Sequence, residues 1–438
     1  MKGRLARLKE MGLIKASEIG SRPEKPEGQG KPVKSKRPVR EEKAGFLQGW
    51  ERIAPHTYTR TMETGFSLDE NRGDCFEESH FANQRLRRKK GLQPLPLTAI
   101  PLSRLSFFDL ETTGLSGGAG TIAFLAAVGF FEGGSFLVTQ VFVDDFPGEP
   151  AFLDFTVNLL AERPYLVTYN GAAFDLPLLR TRCIMNAVPV PEFGHIDLLH
   201  MARKFWRKTF GSCSLQAMEI AVLGEGREDD VPGFLIPRLW LEYSGTAAAD
   251  ADALEASLAA MGKVADHNLL DVRSLARLFL RVEGIMKEPC VRWESERVYV
   301  PHLAMELMAA DRSEEGYVLL EEGAAAGDHG ALKLLFRFYR KAGDIEACGR
   351  VIAAMDENSV EGCMEKAKFH EHVRKDPGTA LVYAEKAMDL LEADAAQETD
   401  VRNPGALNRD SPEREALEKR RARLMRKLGK SSGDGRRG

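Results

Sequence analysis

Three apolar runs between residues 105 and 143 constrain the fold of this chain more than any other feature. They cover 105–110, 122–131 and 135–143, and Gly-rich turns separate them. Runs of this length, bounded by turn residues, are typical of buried strands. Downstream, the pattern indicates a helix at 150–162, a strand at 165–169 and a helix at 174–187. A strand meander followed by strand and helix alternation predicts a mixed α/β sheet flanked by helices.

The chain is long enough for more than one folded unit. Its 438 residues exceed the roughly 150 to 250 residues of a typical domain, and 43% of them are hydrophobic. The net charge is −4, although both ends are basic. We expect a basic disordered arm at 1–44, an N-terminal extension at 45–104, the α/β domain at 105–284, helical repeats at 300–392 and a basic disordered tail at 393–438.

The cysteine pattern and the hydropathy predict a soluble cytoplasmic protein. The six cysteines are scattered, without a Cys-x-x-Cys pair or a histidine pair at zinc spacing, which favours free thiols in a reducing compartment. The longest apolar run, 122–131, has about half of the roughly 20 residues that a membrane span needs. We therefore expect no membrane partner.

Paired small residues predict the nature of the C-terminal region. Ala347 and Ala354 form one pair, and Ala380 and Ala387 repeat it about 33 residues later, close to the tetratricopeptide period. Small residues at this spacing let two helices approach closely. The pattern favours tetratricopeptide-like helical hairpins, with a generic helical bundle as the alternative.

The first acidic motif lies at the end of the first predicted strand. Asp109 and Glu111 are two residues apart, so both side chains project to the same face of the sheet. Two like charges at a buried strand end repel each other, and a divalent cation between them relieves that repulsion. Oxygen ligands favour hard ions such as Mg²⁺ or Mn²⁺. A lone Asp-x-Glu is nevertheless common in a chain with 65 acidic residues.

Two further acidic residues open or lie within predicted helices. Asp175 follows a strand and a turn of small residues, where an N-cap is its simplest role. His267 and Asp271 are four residues apart and share one helical face, which a surface ion pair would also explain. The three acidic segments gain specificity because each falls on the element that a metal site needs.

Together these segments resemble the Asp-Glu-Asp-Asp exonuclease superfamily of ribonuclease H-like proteins. The likeness is most specific to the bacterial YprB-like family, whose members join this domain to tetratricopeptide repeats. It rests on Asp-Leu-Glu-Thr-Thr-Gly-Leu-Ser-Gly-Gly-Ala-Gly-Thr at 109–121, His-Ile-Asp-Leu-Leu-His-Met-Ala-Arg at 195–203, Gly-Ser-Cys-Ser-Leu at 211–215 and Arg-Glu-Asp-Asp-Val-Pro-Gly at 227–233. The resemblance implies an α/β ribonuclease H-like domain followed by an all-α tetratricopeptide-like helical domain.

The resemblance also implies roles for individual residues. It implies that Asp109, Glu111, Asp175 and Asp271 bind two Mg²⁺ ions, or Mn²⁺ in their place, around the scissile phosphate. It makes His267 the general base. In similar enzymes the histidine usually precedes the last Asp by five residues, whereas here it precedes Asp271 by four. A structural role for His267 therefore stays open.

Substrate contacts are expected around the first and second acidic segments. They are Thr112, Thr113, Gly114, Leu115, Asn170 and Phe174. A tight turn explains the first four equally well. Asn170 is equally explained as a turn former, and Phe174 as a core aromatic.

The expected function is a metal-dependent 3′→5′ exonuclease that hydrolyses phosphodiester bonds at single-stranded ends of DNA or RNA. The alternative is a non-catalytic nucleic-acid-binding adaptor. In such an adaptor the helical repeats would recruit a protein partner. A protein partner of the repeats is also possible for the exonuclease. The choice between DNA and RNA depends on contacts to the 2′ position, for which the sequence has no motif.

Overall fold

The computed structural model describes residues 46–67, 78–87, 99–114, 120–246, 251–402 and 412–434. The predicted arm at 1–44 and the predicted substrate residue Leu115 lie outside the described residues. Within the described ranges, no helix is long and apolar enough to cross a membrane.

A seven-stranded mixed sheet forms the centre of the first domain. Its strands are β1 (Glu51–Ala54), β2 (Thr57–Ser67), β5 (Leu105–Thr112), β6 (Ala123–Glu132), β7 (Ser135–Val143), β8 (Tyr165–Thr168) and β9 (Gly194–Asp197). Strands β3 (Glu78–Ser79) and β4 (Ile100–Pro101) form a separate two-stranded pair. The order in the large sheet is β1-β2-β7-β6-β5-β8-β9. The pairs from β1 to β5 are antiparallel, and β5, β8 and β9 are parallel.

The sheet confirms the predicted strands and begins earlier in the chain than the predicted domain. Strands β5 to β8 match the apolar runs of the sequence. However, β2 pairs with β7 along most of its length, so residues of the predicted N-terminal extension complete the sheet. The ribonuclease H-like domain thus includes strands from before residue 105.

Helices cover both faces of the sheet. They are α1 (His80–Arg87), α2 (Glu149–Ala161), α3 (Asp175–Met185), α4 (Leu199–Phe210), α5 (Leu215–Met218), α6 (Ile236–Gly245), α7 (Ala251–Lys287) and α8 (Pro289–Arg292). Helices α2 and α3 share one apolar cluster with the sheet, whereas α4 and α7 belong to another.

Gly129 lets the long helix α7 lie directly on the sheet. A Cβ at this position of β6 would be 2.5 Å from Cγ1 of Val272 and 2.4 Å from Cζ of Phe136. Any larger residue would push the helix away. Because Val272 adjoins Asp271, this close approach also brings the acidic face of α7 to strands β5 and β6.

A helical region follows, as predicted. Its helices are α9 (Val300–Met308), α10 (Ser313–Ala325), α11 (His329–Ala342), α12 (Ile345–Ala354), α13 (Val360–Phe369), α14 (Pro377–Arg402) and α15 (Pro412–Asp434). Ala347, Ala380 and Ala387 are buried between helices, as the small-residue pattern predicts, whereas Ala354 is exposed. The tetratricopeptide nature of these hairpins stays a prediction.

The prediction of a disordered tail from 393 is wrong for residues 393–402, which belong to α14, and for residues 412–434, which form α15. Helix α15 buries Leu417 and Leu424 against the preceding helices. Glu371, which is buried, forms ion pairs with Arg423 at 2.7 Å and Lys427 at 2.9 Å. The basic residues that suggested a solvated tail thus bind a buried acid.

Candidate active site

Strand β5 carries the first two acidic residues of the site. Asp109 and Glu111 flank Leu110, so both side chains project from the same face of the sheet. Burial, together with the charges of Asp271 and Asp175, raises the pKa of Asp109 well above its usual range. Burial and the charge of Asp109 also raise the pKa of Glu111. The two carboxylates therefore lie in one poorly solvated region.

Asp175 is the first residue of helix α3, directly after the turn that follows β8. Burial raises the pKa of its carboxyl to about 7, and the charges of Asp197 and Asp271 add to this effect. Backbone hydrogen bonds from Asp175 itself and from Leu110 act in the opposite direction. The side chain therefore does more than cap α3, because it faces the other acids of the site.

Asp197, at the end of β9, anchors the turn before Asp175. Its carboxylate accepts hydrogen bonds from the backbone amides of Asn170 at 2.8 Å and Ala172 at 3.1 Å. It also accepts one from the amide of Leu199 at the start of α4, at 3.1 Å. One of these three bonds thus caps the start of α4, and the other two fix the turn that positions Asp175.

Helix α7 brings His267 and Asp271 to the same place. Nε2 of His267 lies 3.7 Å from Oδ2 of Asp271 and 3.8 Å from Oε1 of Glu111. Burial raises the pKa of Asp271, although His267 and the guanidinium of Arg227 partly offset this. The shared helical face predicted from the four-residue spacing is therefore present, and it faces the carboxylates of β5.

The four predicted carboxylates form one electrostatically coupled group. Besides burial, the charge of Asp271 contributes to the raised pKa of Asp109, Glu111 and Asp175. Such mutual repulsion requires that the side chains, far apart in the sequence, face a common region of low dielectric constant. His267 borders this region between Glu111 and Asp271.

Asn268 belongs to the site, although the sequence interpretation gave it no role. It is fully buried, and its Nδ2 donates a hydrogen bond to Oδ2 of Asp109 at 2.8 Å. Nε2 of Gln140, on β7, donates to Oδ1 of Asn268 at 3.1 Å and to the carbonyl of Ala265 at 2.7 Å. The available signal was a polar residue on the inward, apolar face of α7.

A turn before α6 supplies a second missed group, consisting of Arg227, Asp230 and their partner Glu219. The guanidinium of Arg227 forms ion pairs with Asp271 at 2.5 Å and Asp230 at 3.2 Å, and it also binds Glu219. Burial would lower the pKa of Arg227, but the charges of Asp271 and Glu219 raise it above its usual range. The motif at 227–233 contributed to the family resemblance, but no pattern indicated its partners.

The predicted substrate residues border the carboxylates on two sides. Thr112 binds the carbonyl of Gly114 through its hydroxyl at 2.9 Å, and the hydroxyl of Thr113 accepts a hydrogen bond from the amide of Ile122 at 3.1 Å. Phe174 is 56% exposed, so it is not a core aromatic. Asn170 has a φ of 65°, which agrees with a turn former.

The donor set fits hard divalent cations by its chemistry. It consists of carboxylate oxygens, whose pKa values are raised by burial and by the charges of neighbouring acids. Within the described part of the chain, no three acidic, histidine or cysteine side chains already converge in a metal-binding arrangement. The nearest positive charge is that of Arg227, bound to Asp271.

Comparison with known proteins agrees with this architecture. Residues 106–282 match the model of the ribonuclease H (RNase_H) superfamily. Over 310 residues the chain is 32% identical to the uncharacterised protein YprB of Bacillus subtilis (strain 168), a match that covers 68% of this chain and 72% of that protein. The chain belongs to the YprB-like family. Its ribonuclease H-like domain indicates a nuclease-type function.

Among solved structures, this YprB-like chain is similar to the family B DNA polymerase from the hyperthermophilic archaeon Pyrobaculum calidifontis. The identity is 19% and the TM-score is 0.30. The match covers 48% of this chain and 29% of the polymerase, so the chain spans less than a third of that protein.

Proposed function

We propose that this protein is a metal-dependent 3′→5′ exonuclease that hydrolyses single-stranded ends of DNA or RNA. The observation that carries the proposal is the group of Asp109, Glu111, Asp175 and Asp271, which come from three separate elements, and in which the charge of Asp271 helps to raise the pKa values of the other three. A scaffold gains nothing from four partly buried acids that repel one another, whereas a phosphodiesterase uses them to hold cations.

The four carboxylates would hold two Mg²⁺ ions, or Mn²⁺. When bound, such ions lower the pKa of water and stabilise the departing 3′ oxygen. The chain's own contribution is to fix the carboxylates before the substrate arrives. Asn268 holds Asp109, and Asp197 holds the turn that precedes Asp175.

His267 would act as the general base. Its Nε2 lies 3.8 Å from Glu111 and 3.7 Å from Asp271, too far for direct hydrogen bonds, so it can accept a hydrogen bond from a water beside the two carboxylates. In the proposed reaction the water oxygen attacks phosphorus and its proton passes to Nε2. The bond from phosphorus to the 3′ oxygen of the preceding nucleotide breaks, this oxygen takes up a proton from solvent to become a 3′-hydroxyl, and the terminal nucleotide leaves as a 5′-monophosphate.

The exposed surface beside the carboxylates would hold the terminal nucleotide. Phe174 offers an exposed ring on which a base can stack. Thr112, Thr113 and Gly114, which directly follow Glu111, are proposed to contact the same nucleotide by family resemblance. Leu115 is proposed to pack against the base by family resemblance.

The test is an end-labelled nuclease assay. Single-stranded DNA and RNA oligonucleotides, labelled at the 5′ end, are incubated with Mg²⁺ or Mn²⁺ and the wild-type protein. We expect a ladder that shortens from the 3′ end with at least one of the two substrates. The preferred substrate then identifies DNA or RNA as the target.

Asp109→Asn and Asp154→Asn form a matched pair of variants for this assay. Both remove one negative charge, but Asp154 is exposed on α2, outside the site. We expect Asp109→Asn to cleave the substrate at least about 100-fold more slowly than the wild type, and Asp154→Asn to cleave it at the wild-type rate. Wild-type protein that cleaves neither substrate with either metal would refute the proposal, and so would equal rates for the two variants.

A further inference from the structure

The turn at 227–230 contains a carboxylate, that of Asp230, which contacts the His267 ring at the nitrogen opposite the one that faces Glu111 and Asp271. Oδ1 of Asp230 lies 2.7 Å from Nδ1 of His267, and both side chains are only 14% exposed. The amide of Val231 also donates to this oxygen, at 2.9 Å. Nδ1 therefore has a fixed, buried partner, whereas Nε2 faces Glu111 and Asp271.

Two neighbours of Nδ1 decide which way its hydrogen bond runs. Nη1 of Arg227 lies 3.4 Å away and can only donate, whereas the carboxylate of Asp230 lies 2.7 Å away. An ionised carboxylate can only accept, so a bare Nδ1 at that distance would place two lone pairs in contact. The shorter contact therefore requires that Nδ1 carry the proton and donate it to Asp230.

Asp230 is held in its ionised, accepting form. Burial acts against ionisation, but the hydrogen bond from His267 and the charges of His267 and Arg227 lower the pKa of Asp230 below its usual value. Nη1 of Arg227 binds its second oxygen at 3.2 Å. Val231, buried in the apolar cluster that includes Trp240, anchors the end of the turn. The carboxylate thus has little freedom to leave the imidazole.

We propose that Asp230 is a positioning residue for His267: it fixes the ring with the proton on Nδ1 and presents Nε2 to the water site between Glu111 and Asp271. This inference rests on the proposed hydrolysis, in which His267 is the base.

The matched controls are Asp230→Asn and Asp229→Asn. The two residues are adjacent and the substitutions remove the same charge, but Asp229 is 90% exposed and binds Lys263 at 3.1 Å. Asp229 has a φ of 62°, which asparagine tolerates. A difference between the variants therefore reports the buried contacts of Asp230 with His267 and Arg227 rather than the loss of charge near the site.

The first measurement is the ¹⁵N spectrum of the full chain labelled on its nine histidines, with Mg²⁺ at pH 8.5. The signals of His267 are assigned as those missing from His267→Gln. We expect Nδ1 protonated and Nε2 bare in the wild type and in Asp229→Asn, and a shift toward the Nε2-protonated ring in Asp230→Asn. A wild-type ring that carries its proton on Nε2, or an unchanged ring in Asp230→Asn, would overturn the proposal.

The second measurement is steady-state hydrolysis of the oligonucleotide that the wild type prefers. We expect Asp230→Asn to lower kcat by about ten- to a hundredfold relative to the wild type, while its KM stays within about twofold of the wild-type value. The midpoint of its thermal unfolding should equal that of Asp229→Asn. Equal kcat for the two variants would contradict a positioning role. If the wild type hydrolyses nothing, the proposed function fails, and the ¹⁵N spectra still decide whether Asp230 orients the ring.

Discussion

Asn268 donates a hydrogen bond from Nδ2 to Oδ2 of Asp109 at 2.8 Å, in a part of the domain closed to solvent. The same amide accepts a hydrogen bond from Gln140. The link joins helix α7 to strands β5 and β7, so the packing of the helix on the sheet and the orientation of a site carboxylate depend on one side chain.

The first prediction concerns this link. Asn268→Leu removes the donor to Asp109 and the acceptor for Gln140, and leaves both groups buried. We expect a loss of about 1 to 3 kcal/mol in the free energy of unfolding, measured by urea denaturation in EDTA. Asn158→Ala, on the exposed face of α2, is the control and should change it by less than about 0.5 kcal/mol. Equal stability of Asn268→Leu and the wild type would contradict the link.

A second prediction concerns the turn before Asp175. Asp197→Ala leaves the amides of Asn170, Ala172 and Leu199 without their acceptor. We expect nuclease activity to fall at least about tenfold, because the turn no longer fixes Asp175. Asp197→Asn retains an acceptor oxygen and should lose less. Full activity in Asp197→Ala would show that the turn is fixed by other contacts.

The raised pKa of Asp175 gives a prediction with a defined pH range. Burial beside Asp197 and Asp271 raises this pKa to about 7, against about 4 in an unfolded chain. Between these values the folded chain holds a proton that the unfolded chain has released. The free energy of unfolding in metal-free buffer should therefore fall as the pH rises from about 4 to 7.

Asp175→Asn should reduce this fall but not abolish it, because the pKa values of Asp109, Glu111 and Asp271 are raised as well. We expect the variant to be more stable than the wild type above pH 7, by roughly 1 to 3 kcal/mol, and the two to converge as the pH decreases toward 4. Thermal unfolding across this range in EDTA makes the comparison, with Asp154→Asn as the exposed control. If the stability gained by Asp175→Asn instead grew toward acidic pH, the pKa of Asp175 would be lowered in the folded chain rather than raised.

The buried acid beneath α15 predicts how the C-terminal helix is held. Arg423 and Lys427 bind Glu371, and their hydrogen bonds lower its pKa to about 2 although burial acts in the opposite direction. We expect Glu371→Gln to increase amide hydrogen exchange throughout 412–429. Glu385→Gln, which breaks only the half-exposed pair with Arg421, should leave exchange nearly unchanged. Equal rates of amide hydrogen exchange in 412–429 in the two variants would show that apolar packing alone holds α15.

The sequence predicted those parts of the fold whose signal is local. Strand β7 matched its apolar run because it is buried along most of its length. Strand β2 was not identified as part of the sheet because it alternates Thr57, Thr59 and Thr61 with other polar residues, and its partner β7 lies far along the chain. The disordered-tail prediction failed for the same reason, since Leu417 and Leu424 are few among many basic residues.

In the candidate site, the sequence predicted the acids but not the groups that orient them. Asp109, Asp175 and Asp271 could be found because they lie near the end of a strand, at the start of a helix and within a helix, and each of these elements has a recognisable pattern. Asp230 lies in an irregular turn, and its contact with His267 depends on how that turn packs against α7. Contacts of this kind are set by tertiary packing, which no local spacing encodes.

The most direct test of the account is calorimetric titration of the metal-free protein with Mn²⁺. We predict saturable binding to the wild type and to Asp154→Asn, and an affinity at least about tenfold lower in Asp109→Asn. Absence of saturable binding to the wild type, or identical affinities in all three proteins, would contradict the claim that the four carboxylates form a shared cation site.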